Sequence, residues 1–233
     1  MSDIASHLES VRQRIAEAAA HAHRPASSVS LMAVSKTFPA QAVREAYAHG
    51  QTTFGESYLQ EALQKMEALA DIRASTSWHF IGPVQSNKTK PIAEQFDWVH
   101  SVDRLKIAER LSAQRPEALA ALNVCIQVNI SGESTKSGLA VDEVRAVAAS
   151  IAELPRLRLR GLMAIPEPAD ALEAQRAPLR ALRELFERLR DDGHALDTLS
   201  MGMSADLEAA VLEGATIVRI GTAIFGMRDY ATH

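Results

Sequence analysis

Apolar side chains recur at Ile4, Leu8, Val11, Ile15 and Ala18, at spacings of 4, 3, 4 and 3. That period predicts an amphipathic helix over residues 3–23, broken by Pro25 and the Ser27-Ser28 pair. Beyond it the pattern becomes one of short apolar runs separated by stretches with helical spacing. Eight runs read as strands: Leu31–Lys36, Thr52–Glu56, Trp78–Gly82, Trp98–Val102, Val124–Ile130, Leu159–Ile165, Thr198–Met201 and Ile217–Gly221. Several are almost continuously apolar, as parallel strands buried on both faces require. Between them, Leu59, Leu63, Met66 and Leu69 mark one helical face, and Leu105, Ala108 and Leu111 another. Val144, Val147 and Ile151 mark a third, and Leu182, Leu185, Phe186 and Leu189 a fourth. Pro178 stands ahead of this last face and reads either as a first-turn residue or as a kink. A helix over 205–213 has Ser204 as its expected N-cap, Asp206 and Glu208 in its first turn, and Gly214 to end it.

Eight strand-then-helix units in 233 residues, preceded by one extra helix, predict an α/β architecture. The expectation is a (β/α)8 barrel of TIM type, a single domain over residues 1–233. The rival is an open doubly wound sheet. That fold usually carries a glycine-rich fingerprint after its first strand, and Ser35-Lys36-Thr37-Phe38 is not one.

Composition narrows the function classes. With 47% apolar and 23% charged residues, the chain is neither disordered nor collagen-like. Its 25 basic against 29 acidic side chains leave a net charge of −4, so there is no basic excess for a nucleic-acid partner. The single cysteine, Cys125, excludes an intramolecular disulfide and a cysteine-rich zinc module. It lies in Val124-Cys125-Ile126, where a thiol is expected simply to pack. Residues Met1 to His7 lack the basic start and apolar core of a signal peptide. No apolar run approaches the ~18 residues that span a bilayer. A cytoplasmic protein without membrane attachment is expected. The eight histidines show no metal-ligand spacing, so no metal is expected.

In such a barrel, chemistry collects at the C-terminal ends of the strands. Of the six lysines, at 36, 65, 88, 90, 106 and 136, Lys36 alone ends an apolar strand. An amine held at an apolar mouth has its charged form disfavoured, which favours attack on aldehydes. The plainer reading is a solvated lysine at a strand end. Arg219 is the one cation within Ile217-Val218-Arg219-Ile220-Gly221-Thr222, on the face opposite Val218 and Ile220. Inside a barrel it needs an acceptor, either a ligand atom or a structural carboxylate. Barrels often hold phosphate on the loops after strands seven and eight. Here those loops contain Ser204 and the Gly221-Thr222 turn, with Ser204 as a simple N-cap still compatible with ligand binding. A strand-end lysine, a barrel arginine and a phosphate cradle suit an aldehyde that carries a phosphate, for which pyridoxal phosphate is the obvious candidate.

Seven segments then fall in order: Ala33-Val34-Ser35-Lys36-Thr37; Phe54-Gly55-Glu56; Trp78-His79-Phe80-Ile81-Gly82 with Gln85-Ser86-Asn87-Lys88; Gln127-Val128-Asn129; Gly161-Leu162-Met163; Leu199 to Ser204; and Val218 to Thr222. Over nearly its whole length the chain resembles the pyridoxal-phosphate homeostasis proteins, also known as proline-synthase-associated proteins. The family is similar to the barrel half of alanine racemase, fold type III among pyridoxal-phosphate proteins, without that enzyme's second, β-rich domain. The resemblance implies that Lys36 holds the cofactor as an internal aldimine. It further implies that Ser204, Gly221 and Thr222 bind its phosphate and that Arg219 lies beside the pyridine nitrogen. Two positions depart from the family pattern. Ser57 stands where members usually have Asn, so it offers one hydroxyl and no amide pair at that contact. Pro83 stands where members often have His.

Trp78 and Trp98 are expected to pack the barrel against its helices, His79 to be a hydrogen-bonded core residue, and the seven methionines to fill core. Three functions compete: a non-catalytic pyridoxal-phosphate binder that stores, buffers or delivers the cofactor, an amino-acid racemase or decarboxylase, and a Schiff-base aldolase. The aldolase leaves Arg219 unexplained. A racemase needs a second acid–base group, and Tyr47, Tyr58 and Tyr230 have no evident claim to that role. The resemblance implies that this group belongs to the missing domain. An always-protonated arginine beside the ring nitrogen also weakens the ring as an electron sink. The binder is the expectation, as a monomer, with apo pyridoxal-phosphate enzymes as conceivable partners.

Overall fold

The computed structural model describes residues 3–132 and 137–227. Lys136 and Tyr230 lie outside the described residues. Helix α1 (Asp3–His21) precedes strand β1 (Ser30–Val34). Then come α2 (Ala40–Ala48), β2 (Thr53–Glu56), α3 (Leu59–Ala68), β3 (Ser77–Phe80), α4 (Thr89–Gln95) and β4 (Trp98–Val102). The second half holds α5 (Leu105–Gln114), β5 (Leu122–Gln127), α6 (Val144–Ala152), β6 (Leu157–Met163) and α7 (Leu172–Asp191). It ends with β7 (Thr198–Ser200), α8 (Leu207–Leu212), β8 (Ile217–Ile220) and the short α9 (Thr222–Phe225). The strands follow one another in chain order, all parallel, and β8 closes on β1, so the sheet is the expected eight-stranded barrel.

Strand alternation divides the side chains into two sets. Ala33, Phe54, Trp78, Phe80, Val99, Val124, Leu162 and Val218 belong to the core between sheet and helices. Met32, His79, His100, Cys125, Ser200 and Arg219 occupy the alternate, inward positions and are also buried. Helix α1 buries Leu8, Val11, Ile15, Ala18 and Ala19 and packs against α8 and α9. Arg14 reinforces this with an ion pair to Glu208 at 2.8 Å, and Arg24 donates to the carbonyls of Val211 and Ala215.

Several boundaries differ from the sequence reading for identifiable reasons. Strand β1 stops at Val34, because after Ser35 N–H bonds Gly55 O at 3.1 Å the chain turns, with Thr37 at φ +71°. Strand β6 starts earlier than its apolar run, since Arg158 and Arg160 mask its beginning. Arg160 is held by Asp197 at 2.7 and 2.8 Å. Pro178 is not a first-turn residue: it lies inside α7, which runs from Leu172 to Asp191. Ser204 is not the N-cap of α8. That position is Asp206, whose carboxylate accepts the Met203 N–H at 2.7 Å. Gly214 does end the helix, at φ +94°, with Gly214 N–H on Val211 O and Ala215 N–H on Ala210 O.

Trp78 packs against Phe54 in the outer core, as expected. Trp98 does not pack there. It stacks on His79 with Arg160 4.4 Å above its ring, on the strand face opposite Val99. The methionines divide as well: Met32, Met66, Met163 and Met201 are buried, whereas Met203 and Met227 are exposed.

Candidate functional site

Closure of the barrel brings the proposed residues onto one arc. Ser204 follows β7, Gly221 and Thr222 follow β8, Lys36 follows β1, and Ser57 follows β2. These four strands are consecutive neighbours in the sheet, so residues far apart in sequence share one side of the C-terminal mouth. The register sets Met32 of β1 against Arg219 of β8. Lys36 lies in the turn two residues past the end of β1. Gly221 stands where the two strands end: a Cβ there would come within 3.2 Å of Val34 O. Helix α9 begins at Thr222, and its Ile224 and Phe225 N–H groups bond Gly221 O at 2.9 and 3.0 Å. Lys36, Ser57 and Ser204 are half-buried and Thr222 is exposed, while Arg219 is buried.

Arg219 is the centre of the arrangement. Its guanidinium donates to Ser200 O at 2.6 Å, to Ser200 Oγ at 2.9 Å and to Ala164 O at 3.0 Å. Among the described residues no carboxylate pairs with it; two carbonyls and a hydroxyl accept from it instead. Burial pushes its pKa down to about 10, which still leaves it charged at neutral pH.

Behind Ser200 a polar chain crosses the barrel interior. Ser200 Oγ meets His100 Nδ1 at 2.7 Å, His100 Nε2 meets His79 Nδ1 at 2.8 Å, and His79 Nε2 meets Ser77 Oγ at 3.0 Å. Burial pushes His79 down to about 3 and His100 well below the usual histidine range, so both rings are neutral. A neutral imidazole donates at one nitrogen and accepts at the other, so the chain has a direction. Because Arg219 can only donate, Ser200 Oγ is an acceptor at that end of the chain.

Comparison with known proteins identifies the family. The model of the alanine racemase N-terminal domain matches residues 6–229. The pyridoxal phosphate homeostasis protein of Pseudomonas aeruginosa is 62% identical, over 99% of this chain and 98% of its own. The protein of the same name from Escherichia coli is 51% identical, over 99% of each chain. The chain belongs to the pyridoxal phosphate homeostasis protein family. A solved member-like structure, PipY of Synechococcus elongatus with pyridoxal phosphate bound, is 38% identical with a TM-score of 0.84, over 96% of this chain and 100% of its own. Alanine racemase of Corynebacterium glutamicum, at 20% identity and a TM-score of 0.71, shares the fold, and the match covers 62% of its length.

For a pyridoxal phosphate homeostasis protein, the two departures fall in one place. Ser57 and the Gly82-Pro83 turn abut, since a Cβ on Gly82 would come within 2.3 Å of Ser57 O. Pro83 itself is exposed. Cys125 is buried and free, with burial pushing its thiol up to about 12, so it packs as expected. His79 is the hydrogen-bonded core residue anticipated. Among the described residues no group of side chains could hold a metal ion, and no helix is long and apolar enough to cross a membrane.

Sequence reasoning missed His100, Ser200, Glu56 and Lys65. His100 carried a related signal, a titratable side chain within the largely apolar Trp98–Val102. Lys65 was read only as a helix residue, yet it is 4% exposed.

Proposed function

We propose that this chain binds pyridoxal phosphate, with Lys36 as its covalent anchor, and that it stores, buffers or delivers the cofactor. The observation that carries this reading is the buried, carboxylate-free guanidinium of Arg219, beside the strand that leads to Lys36. Such a group suits a neutral ring-nitrogen acceptor. Ser204, Gly221 and Thr222 would hold the phosphate, and Ser57 would give one further hydroxyl contact. When bound, the cofactor supplies an aldehyde. Lys36 would hold it at that carbon through its amine.

Supporting the reading further are the names of the relatives and the bound pyridoxal phosphate in the PipY structure. We take residues 1–233 to act as one unit, a monomer in the cytoplasm, with apo pyridoxal-phosphate enzymes as recipients. A non-catalytic role follows from Arg219. Its guanidinium remains protonated and favours an unprotonated ring nitrogen, which disfavours carbanion chemistry. The alternative, a weak or specialised amino-acid racemase, keeps Lys36 as one of two bases.

The test combines spectra with mapping. Purified protein loaded with pyridoxal phosphate should have a visible band that borohydride removes, leaving a pyridoxyl group on Lys36. Lys36→Ala should lose the band, and label on Lys88 or Lys90 instead would overturn the assignment. In deuterated water, the loaded protein should leave L-amino acids unracemised. Turnover at about 1 s⁻¹ or faster would decide for catalysis.

A further inference from the structure

Lys36 stands just past the end of a ladder, where a loop would ordinarily leave its backbone loosely held. Here both neighbours are tied down from behind the sheet. Ser35 Oγ donates to Glu56 Oε1 at 2.6 Å, and Ser35 O accepts from Lys65 Nζ at 2.7 Å. Lys65 Nζ also bonds Glu56 Oε1 at 2.8 Å and Glu61 Oε1 at 2.5 Å. Glu61 Oε1 in turn accepts the Thr37 N–H at 2.6 Å. With Ser35 N–H on Gly55 O, every backbone and side-chain polar group of Ser35 is engaged, since its carbonyl and hydroxyl both belong to this cluster.

The cluster lies outside the barrel wall. Glu56 alternates with the inward Gly55, and Lys65 comes from α3. The side chains of Lys65 and Glu56 are 5% and 0% exposed. A buried ion pair of this kind is weak evidence for stability, because an apolar replacement of similar volume often serves the fold as well. What such a pair does supply is fixed geometry. Thr37 gives a second sign of constraint. It is β-branched yet sits at φ +71°, a conformation that persists only when the surroundings impose it.

We propose that Glu56, Lys65 and Glu61 are positioning residues that grip Ser35 and Thr37 and so aim the amine of Lys36 into the barrel mouth. The proposal rests on the reading of Lys36 as the covalent anchor. It makes a distinction that a general structural role does not: the cluster should govern covalent attachment and leave non-covalent recognition of ring and phosphate alone.

The experiment compares full-length parent, Glu61→Ala, Glu61→Gln and Lys65→Met, each stripped of cofactor. Each is titrated with pyridoxal phosphate, trapped with borohydride and mapped. In parallel each binds 4-deoxypyridoxine phosphate, which has a methyl in place of the aldehyde. Glu61→Ala and Lys65→Met should weaken covalent attachment at Lys36 by about tenfold or more, the scale of one charged hydrogen bond. Affinity for the deoxy analogue should stay within about twofold on the same scale. Glu61→Gln keeps an oxygen for the Thr37 N–H and should stay close to the parent. Glu61 is partly exposed, so its variants keep the test open if Lys65→Met fails to fold. Parent label on Lys36 with unchanged attachment in both Glu61→Ala and Lys65→Met overturns the proposal and leaves the anchor standing. Equal losses for both ligands also overturn it, in favour of a structural role. Parent label on another lysine overturns the anchor and the proposal together.

Discussion

Acidification from pH 7 to pH 5 isolates the two histidines sealed inside the barrel. His79 is 3% exposed and His100 fully buried, and burial lowers the pKa of both, to about 3 for His79. In the unfolded chain each titrates near about 6.5. Below that pH the unfolded state binds protons that the folded state refuses. The stability contributed is therefore fully present above the unfolded value and drains away as pH falls toward the folded one. Integrated from pH 7 to pH 5, His79 removes about 2 kcal/mol, and His100 acts in the same direction. Glu56 works in the opposite direction, because burial raises its carboxyl pKa. The difference between parent and variant is therefore the clean quantity. His79→Gln keeps a polar side chain but does not titrate, and His100→Asn offers the same comparison on the other ring. Urea unfolding at pH 7, 6 and 5 should give a parent that loses about 2 kcal/mol more than His79→Gln across the interval, with His100→Asn differing from the parent in the same direction. Any cost of the substitution itself is common to all three pH values and cancels. Equal losses in parent and variants would refute neutral, buried rings.

Removing a phosphate donor should separate the ligands: Ser204→Ala or Thr222→Val weakens pyridoxal phosphate by about ten- to a hundredfold and leaves unphosphorylated pyridoxal unchanged, read by calorimetry. Because Ser204 does not cap α8, Ser204→Ala should leave thermal stability near the parent's, and a large fall in Tm would contradict that assignment. Gly161→Ala should destabilise by about 3 kcal/mol or more, since its Cβ would come within 1.7 Å of Thr198 O in the next strand, and an unchanged urea midpoint would exclude this packing. Cys125 should resist thiol reagents until the chain unfolds, so rapid labelling under native conditions would show that the interior opens.

The architecture was legible before folding. Eight apolar runs at strand length, each followed by helical spacing, leave little besides a closed parallel barrel. Alternation within Ile217–Ile220 put Arg219 inside, whereas Lys36, read as ending its strand, lies in the turn past Val34. These readings depend on local chemistry, which a period of two or 3.6 residues records directly. What only the tertiary structure decided were partnerships. Whether Arg219 met a carboxylate depended on β6 and β7, which supply Ala164 O and Ser200 from 55 and 19 residues away. Lys65 looked like any helical lysine until α3 was laid over β2 and buried it against Glu56. The placement of Trp98 inside the wall likewise awaited His79 from the adjacent β3 and Arg160 from β6, two strands away. A buried polar group takes its role from the acceptor opposite it, and closure of the barrel chooses that acceptor across distances that no local pattern encodes.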